Sequence, residues 1–166
     1  MSDIRETVRT LLAEGRGGVL EWVARDHGLK TLEVAKLLPD ETRIIAEGID
    51  TASVLDDLHT WGEVFLIIQS RGLVAEIVTE FPAYTIARDH FNFKGDTAFS
   101  GHLHVDAIQA VACFDRPFAN RRSLSVVFFD GEGESIFKVF VRRDAKRNLL
   151  ADQVEKFEAL RDRLSG

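Results

Sequence analysis

The chain has 166 residues, 45% of them hydrophobic and 29% charged, with a formal net charge of −6. That length suits one domain with a real core, and the acidic balance speaks against general attraction to nucleic acid or an anionic membrane. The single cysteine, Cys113, excludes an intramolecular disulfide and a cysteine-based zinc cage.

In chain order, residues 1–62 read as helical. The start, Met1-Ser2-Asp3-Ile4-Arg5-Glu6, is charged and has no apolar signal core. No apolar run approaches membrane-spanning length, 64–68 being the longest. The expected compartment is therefore the cytoplasm. Ile4, Val8, Leu11 and Leu12 recur at helical spacing, and Gly15, Gly17 and Gly18 stop that helix. Leu20 and Val23 open a second helix, which His27-Gly28 ends as a cap. Thr31 is the expected cap of a third, carrying Leu32, Ala35, Leu37 and Leu38 and stopped at Pro39. Val54, Leu55 and Leu58 mark a fourth, ended near Gly62.

From residue 63 the period becomes that of strands. Strands are expected at 64–69, 73–81, 84–87, 90–94, 98–104, 108–115, 123–130 and 134–141, with turns at Ser70-Arg71-Gly72 and Gly131-Glu132-Gly133. Connections this short hold no crossover helix, so the sheet of residues 63–145 should be mostly antiparallel. A closing helix at 148–164 carries Val154, Phe157, Leu160 and Leu164 on one stripe. The expected fold class is α+β: a mostly antiparallel sheet of about seven or eight strands, N-terminal helices and a C-terminal helix, in one domain spanning 1–166.

Charge is uneven along the chain. Residues 116–147 hold eight basic side chains, Arg116, Arg121, Arg122, Lys138, Arg142, Arg143, Lys146 and Arg147, against four acids, a net of +4 on an acidic protein. Such a stretch suits a small anionic ligand held by planar arginine contacts, or simply a solvated surface. Among possible metal or iron ligands, His102 and His104 are two apart on an expected strand and share a face. His90, Asn92 and Lys94 share one too, leaving Phe91 and Phe93 for the core. A lone histidine in such a pattern is more often structural than a ligand. Imidazole, with a reference pKa of about 6.5, is nonetheless ready to coordinate near neutrality, whereas the phenol of Tyr84, starting near 10, is not. Cys113 lies in an apolar run that favours the inert thiol. His27 is explained by a helix C-terminus, and His59 reads as solvated.

Several stretches, taken together and in order, resemble the HutX/ChuX family of cytosolic haem-utilisation carriers found in bacteria. They are Trp61-Gly62, Phe99-Ser100-Gly101-His102, Arg116-Pro117-Phe118, Phe128-Phe129, Phe137-Lys138-Val139-Phe140-Val141, Arg143-Asp144, Leu149-Leu150 and Asp152-Gln153-Val154. The resemblance implies an antiparallel sheet with helices at both ends, a homodimer, and ferric haem (iron protoporphyrin IX) bound and delivered to a downstream haem-degrading partner. It implies His102 as an axial ligand of haem iron. A second family histidine corresponds here to Gln69, and a family tyrosine to His90, so His90 is the expected second iron contact. His104 is expected near a propionate or behind the first ligand, and Arg116, Lys138 and Arg143 at the propionates.

Three other readings remain open. A haem-degrading enzyme would need an open iron position and an electron donor; no nucleotide-binding loop is visible, and the carrier is preferred to the catalyst. A non-haem metal site could use His102 and His104 with Asp106 and His90. The helix–Gly28–helix segment 19–39 resembles a DNA-binding motif, but its basic and acidic residues balance, leaving little drive toward DNA.

Overall fold

The computed structural model describes residues 3–166; Met1 and Ser2, where the charged start begins, lie outside the described residues. Three helices come first: α1 (Ile4–Ala13), α2 (Leu20–His27) and α3 (Thr31–Lys36). The Asp3 side chain caps α1 by accepting from the Arg5 amide at 3.1 Å. Gly28, at φ 67°, supplies the left-handed residue that ends α2. Thr31 does not cap α3. It is the first helical residue, and its hydroxyl donates to Glu134 at 3.0 Å, while Glu33 satisfies the Lys30 amide at 2.9 Å.

The helical reading of residues 1–62 also misses a strand, β1 (Arg43–Glu47), before α4 (Thr51–His59). Eight further strands follow: β2 (Glu63–Ser70), β3 (Leu73–Glu80), β4 (Ala83–Ala87), β5 (His90–Lys94), β6 (Gly101–His104), β7 (Ala110–Phe118), β8 (Arg121–Phe129) and β9 (Ser135–Phe140). The helix α5 (Ala151–Leu164) closes the fold. The architecture is α+β, as expected, but the nine strands among the described residues form two antiparallel sheets rather than one. Six are ordered β1-β7-β8-β9-β2-β3, and three β4-β5-β6. No helix among the described residues is long and apolar enough to cross a membrane.

Strand alternation gives the large sheet two different faces. One presents Val111, Cys113, Leu124, Val126, Phe137, Val139 and Leu66 to a core completed by α4, α5, Trp61 and the inner side of the small sheet, Phe91, Phe93 and Leu103. Gln153 clamps α5 into this layer: its side chain donates to the carbonyls of Trp61 and Glu63 at 3.0 and 2.6 Å and accepts from the Arg142 amide at 2.8 Å. The opposite face presents Ala110, Ala112, Phe114, Val127 and Phe129 to α1, α2 and α3. The apolar residues of these short helices cover β1, β7 and β8, and α2 reaches β9 only through the polar side chain of Glu21.

Candidate functional site

Where the helical layer stops, the large sheet is left open as a cleft of about 640 Å³. That lies within the range of about 300–1,000 Å³ typical of small-molecule sites. Its floor follows from strand register. Phe65 on β2 pairs with Phe140 on β9, which pairs with Ser125 on β8; Ile67 pairs with Lys138, which pairs with Val127. All six residues therefore point to the same side. Val74 and Glu76 of β3 and Trp22 of α2 form the walls, with Phe118 at the end of β7. Trp22 is 58% exposed and Phe118 49%, unusual for large aromatic side chains.

Half of the basic stretch reaches this cleft: Arg116, Arg121, Lys138 and Arg143. The other half lies outside it. Arg122 grips Asp115 with two hydrogen bonds of 3.0 and 2.7 Å, Arg142 pairs with Glu63, and Lys146 and Arg147 sit in the exposed turn after β9. The cleft cations also differ among themselves. Arg116 donates to the Gly18 carbonyl at 3.0 Å, and Arg143 to the carbonyls of Arg147 (3.1 Å) and Arg122. Carbonyls hold a guanidinium in place without neutralising it. Burial pushes the Arg116 pKa down, and the nearby Glu21 carboxylate pulls it back up. A guanidinium still stays charged in any protein, and a partly dried one favours an incoming anion.

Lys138 is different. It pairs with Glu21 of α2 at 2.5 Å, the two side chains only 14% and 16% exposed. Glu21 also accepts from Ser135 at 2.8 Å, and its other carboxylate oxygen is buried without a partner. Sequence reasoning gave Lys138 the same role as Arg116 and Arg143. The structure gives it a counter-ion.

The expected histidines lie elsewhere. His90 pairs in register with His104, and Asn92 with His102, so the four share the outer face of the small sheet. The His90 ring lies 5.1 Å from that of His104 and 6.5 Å from that of His102. Their hydrogen bonds sort them. The Asn92 amide donates to the carbonyls of Thr85, Ala87 and His90, which turns its oxygen toward His102 Nδ1 at 2.6 Å. His102 therefore carries its proton on Nδ1 and presents a bare Nε2. His90 donates from Nδ1 to the Arg88 carbonyl at 2.6 Å, again freeing Nε2. His104 accepts the Asp106 amide on Nδ1 at 3.1 Å, so its Nε2 holds the proton and is unsuited to coordination.

The small sheet packs its inner side against the large-sheet face opposite the cleft. Within one chain the histidines and the cationic cleft thus lie on opposite sides of the six-stranded sheet. The non-haem metal reading fares worse: among the described residues no three His, Cys, Asp or Glu side chains converge on a point.

Tyr84 and Cys113 are poor ligands where they stand. Burial pushes the Tyr84 phenol up to about 12, helped by Asp56, and burial pushes the Cys113 thiol up to about 12. His27 bonds the Val23 carbonyl at the end of α2, and His59 bonds that of Phe81 while staying exposed. Sequence reasoning missed Trp22 and Glu21 as cleft residues, and counted Arg121 in the basic stretch without making it a candidate. Nothing local marks the two helix residues, since α2 reaches β9 only through the tertiary fold.

A family model described as haem utilisation ChuX/HutX matches residues 44–160. The intracellular heme transport protein HutX of Vibrio cholerae serotype O1 is 30% identical over 161 residues, 96% of this chain and 83% of its own. A crystal structure of a protein from Erwinia carotovora is 35% identical, with a TM-score of 0.90, covering 95% of this chain and 98% of that one. A structure of the heme binding protein ChuX is 28% identical, with a TM-score of 0.86, covering 99% and 100%. The matched segment takes in most of β1, all of β2 to β9 and most of α5, and the chain belongs to the ChuX/HutX haem-utilisation family.

Proposed function

We propose that this protein binds haem in the cleft and carries it through the cytoplasm to a haem-degrading partner. The cleft itself carries the reading: an apolar floor beside two guanidiniums, Arg116 and Arg143, whose hydrogen bonds go to carbonyls and not to carboxylates. A macrocycle with two carboxylates needs both, the ring leaving water against Phe65, Phe140 and Trp22 while Arg116 and Arg143 take the propionates. Lys138, already paired with Glu21, contributes less.

The axial ligand in this reading is His102, supplied by a second copy in a homodimer, because its own cleft lies behind the large sheet. The edge of β3 supports such pairing. Among the described residues no strand lies beyond it, and Leu73, Val74 and Val78 are 61%, 53% and 48% exposed there. His90 shares the His102 face, so the two do not sandwich one flat ring from opposite sides. His90 is the neighbouring contact, and His104 stands behind it. Titration of the protein with hemin, read by absorbance, tests the proposal together with light scattering. A saturable Soret band at one haem per chain and a dimer mass are expected. No saturable band would overturn haem binding, and a mass near 18.6 kDa would overturn ligation in trans.

A further inference from the structure

Through its described residues the cleft offers a metal no imidazole, thiolate, thioether or phenolate, and its carboxylates are Glu21, which is paired with Lys138, and Glu76. Among the described residues that line it there is no histidine, cysteine, methionine or tyrosine; its uncharged polar groups are amide or hydroxyl groups such as Gln69 and Ser125. What it offers in quantity is flat apolar surface and cations. Phe65 and Phe140 lie in the floor with ring centroids 6.0 Å apart and planes tilted by 57°, and Trp22 stands exposed at the rim. Arg116 and Arg143 are held by carbonyls in fixed orientations, so a dicarboxylate meets them with little ordering cost.

We infer that the cleft recognises the tetrapyrrole ring and its carboxylates independently of the metal, and so takes iron-free dicarboxylic porphyrins as well as haem. The inference rests on the cleft being the haem site. Ring stacking on aromatic faces and guanidinium–carboxylate pairing are the same for protoporphyrin IX as for its iron complex. The contribution of iron is the bond to an imidazole brought from the other face, and it adds affinity for haem without deciding which ring system enters.

The test titrates the full-length protein with protoporphyrin IX, with its dimethyl ester and with hemin, following tryptophan emission and porphyrin fluorescence or absorbance. Trp61 is buried in the opposite core and Trp22 is exposed at the cleft, so the change in emission should belong mainly to Trp22. A Trp22→Phe variant, which keeps an aromatic ring at the cleft rim, checks that assignment by losing the change in emission while porphyrin absorbance still reports binding.

Saturable binding of one protoporphyrin IX per chain is expected. It should be weakened strongly in the Arg116→Ala/Arg143→Ala double variant, weaker for the ester, and unchanged in His102→Ala. The same His102→Ala variant should lose affinity for hemin. Saturation by hemin with no saturable protoporphyrin IX signal would overturn the inference and leave haem binding standing. Ester binding as tight as the free acid, or full protoporphyrin IX affinity in the double variant, would also overturn it. Failure of hemin to saturate would instead sink the haem reading beneath it.

Discussion

Lys138 and Glu21 stand 2.5 Å apart at the inner wall of the cleft, and Glu21 keeps one oxygen buried without a donor. The pair is mostly withdrawn from water, where attraction is stronger than at a surface but each lone charge is expensive. Its two halves belong to α2 and β9, so it also fastens the helical layer to the sheet. Glu21→Gln should release Lys138 toward the cleft. The variant should melt earlier, the loss being about 1–2 kcal/mol because Lys138 can turn toward the open cleft. It should bind hemin more tightly, by a factor on the order of ten, once a fourth cation is free. Differential scanning and a hemin titration of the same variant check both, and a drop in stability together with weaker binding would refute the account.

Arg116 and Arg143 should behave unlike Lys138. Each guanidinium hydrogen-bonds only carbonyls, and the Glu21 carboxylate near Arg116 is bonded to Lys138 instead, so the charge is available to the ligand. Alanine at either position should weaken hemin by about tenfold or more, the scale of one charge-assisted hydrogen bond. The Soret maximum should stay put, because neither touches iron. Lys138→Ala should cost less affinity than either. Equal losses for all three would mean that the Glu21 pair opens freely.

Part of this arrangement is legible in the amino-acid order. His90, Asn92, His102 and His104 fall on one face because strand side chains alternate, and Phe91 and Phe93 go to the core by the same rule. The cleft is not legible. Its floor exists because β9 lies between β8 and β2, a register that brings Lys138 beside Ile67 and Phe140 beside Phe65 from distant parts of the chain. Strand β1 escapes for a related reason. Ile44 packs into one core and Ile45 into the other, so its apolar residues run consecutively and show no period of two. Two-residue turns at Arg88-Asp89 and Ala119-Asn120, with φ from 49° to 61° and no glycine, give no strong signal either.

Cys113 gives the fold an alkaline limit. Burial holds its thiol protonated up to about pH 12, against an ordinary value of 9.0. Between those values the unfolded chain loses the proton while the native chain keeps it, so stability falls as pH rises. The contribution is complete below pH 9 and gone above about 12. Tyr84, raised from 10.0 to about 12 mainly by burial, adds to the same decline. Chemical denaturation from pH 8 upward should show stability dropping through this window, with a shallower slope in Cys113→Ala. The native thiol should resist a disulfide reagent at pH 8 and react once unfolded. Rapid native labelling would contradict the burial on which the argument depends.

Asn92 should govern how His102 meets iron. Its amide is anchored to three carbonyls, so its oxygen is fixed toward His102 Nδ1 and the ring has one coordinating nitrogen, Nε2. Partners behind a ligating histidine typically contribute ten- to a hundredfold in affinity, about 1.4–2.7 kcal/mol. Asn92→Ala should therefore weaken hemin on that scale and alter the resonance Raman signature of the iron–imidazole bond. His102→Ala should change the spectrum more completely, and His104→Ala little, since the Asp106 amide already occupies its Nδ1. Protoporphyrin IX binding should be the same in all three, because none of these side chains lines the cleft. An Asn92→Ala protein with a wild-type iron–imidazole signature would show that His102 orients itself without this partner. A His102→Ala protein with that signature intact would place the axial ligand on another residue, and His90, whose Nε2 is equally bare, would be the next to substitute.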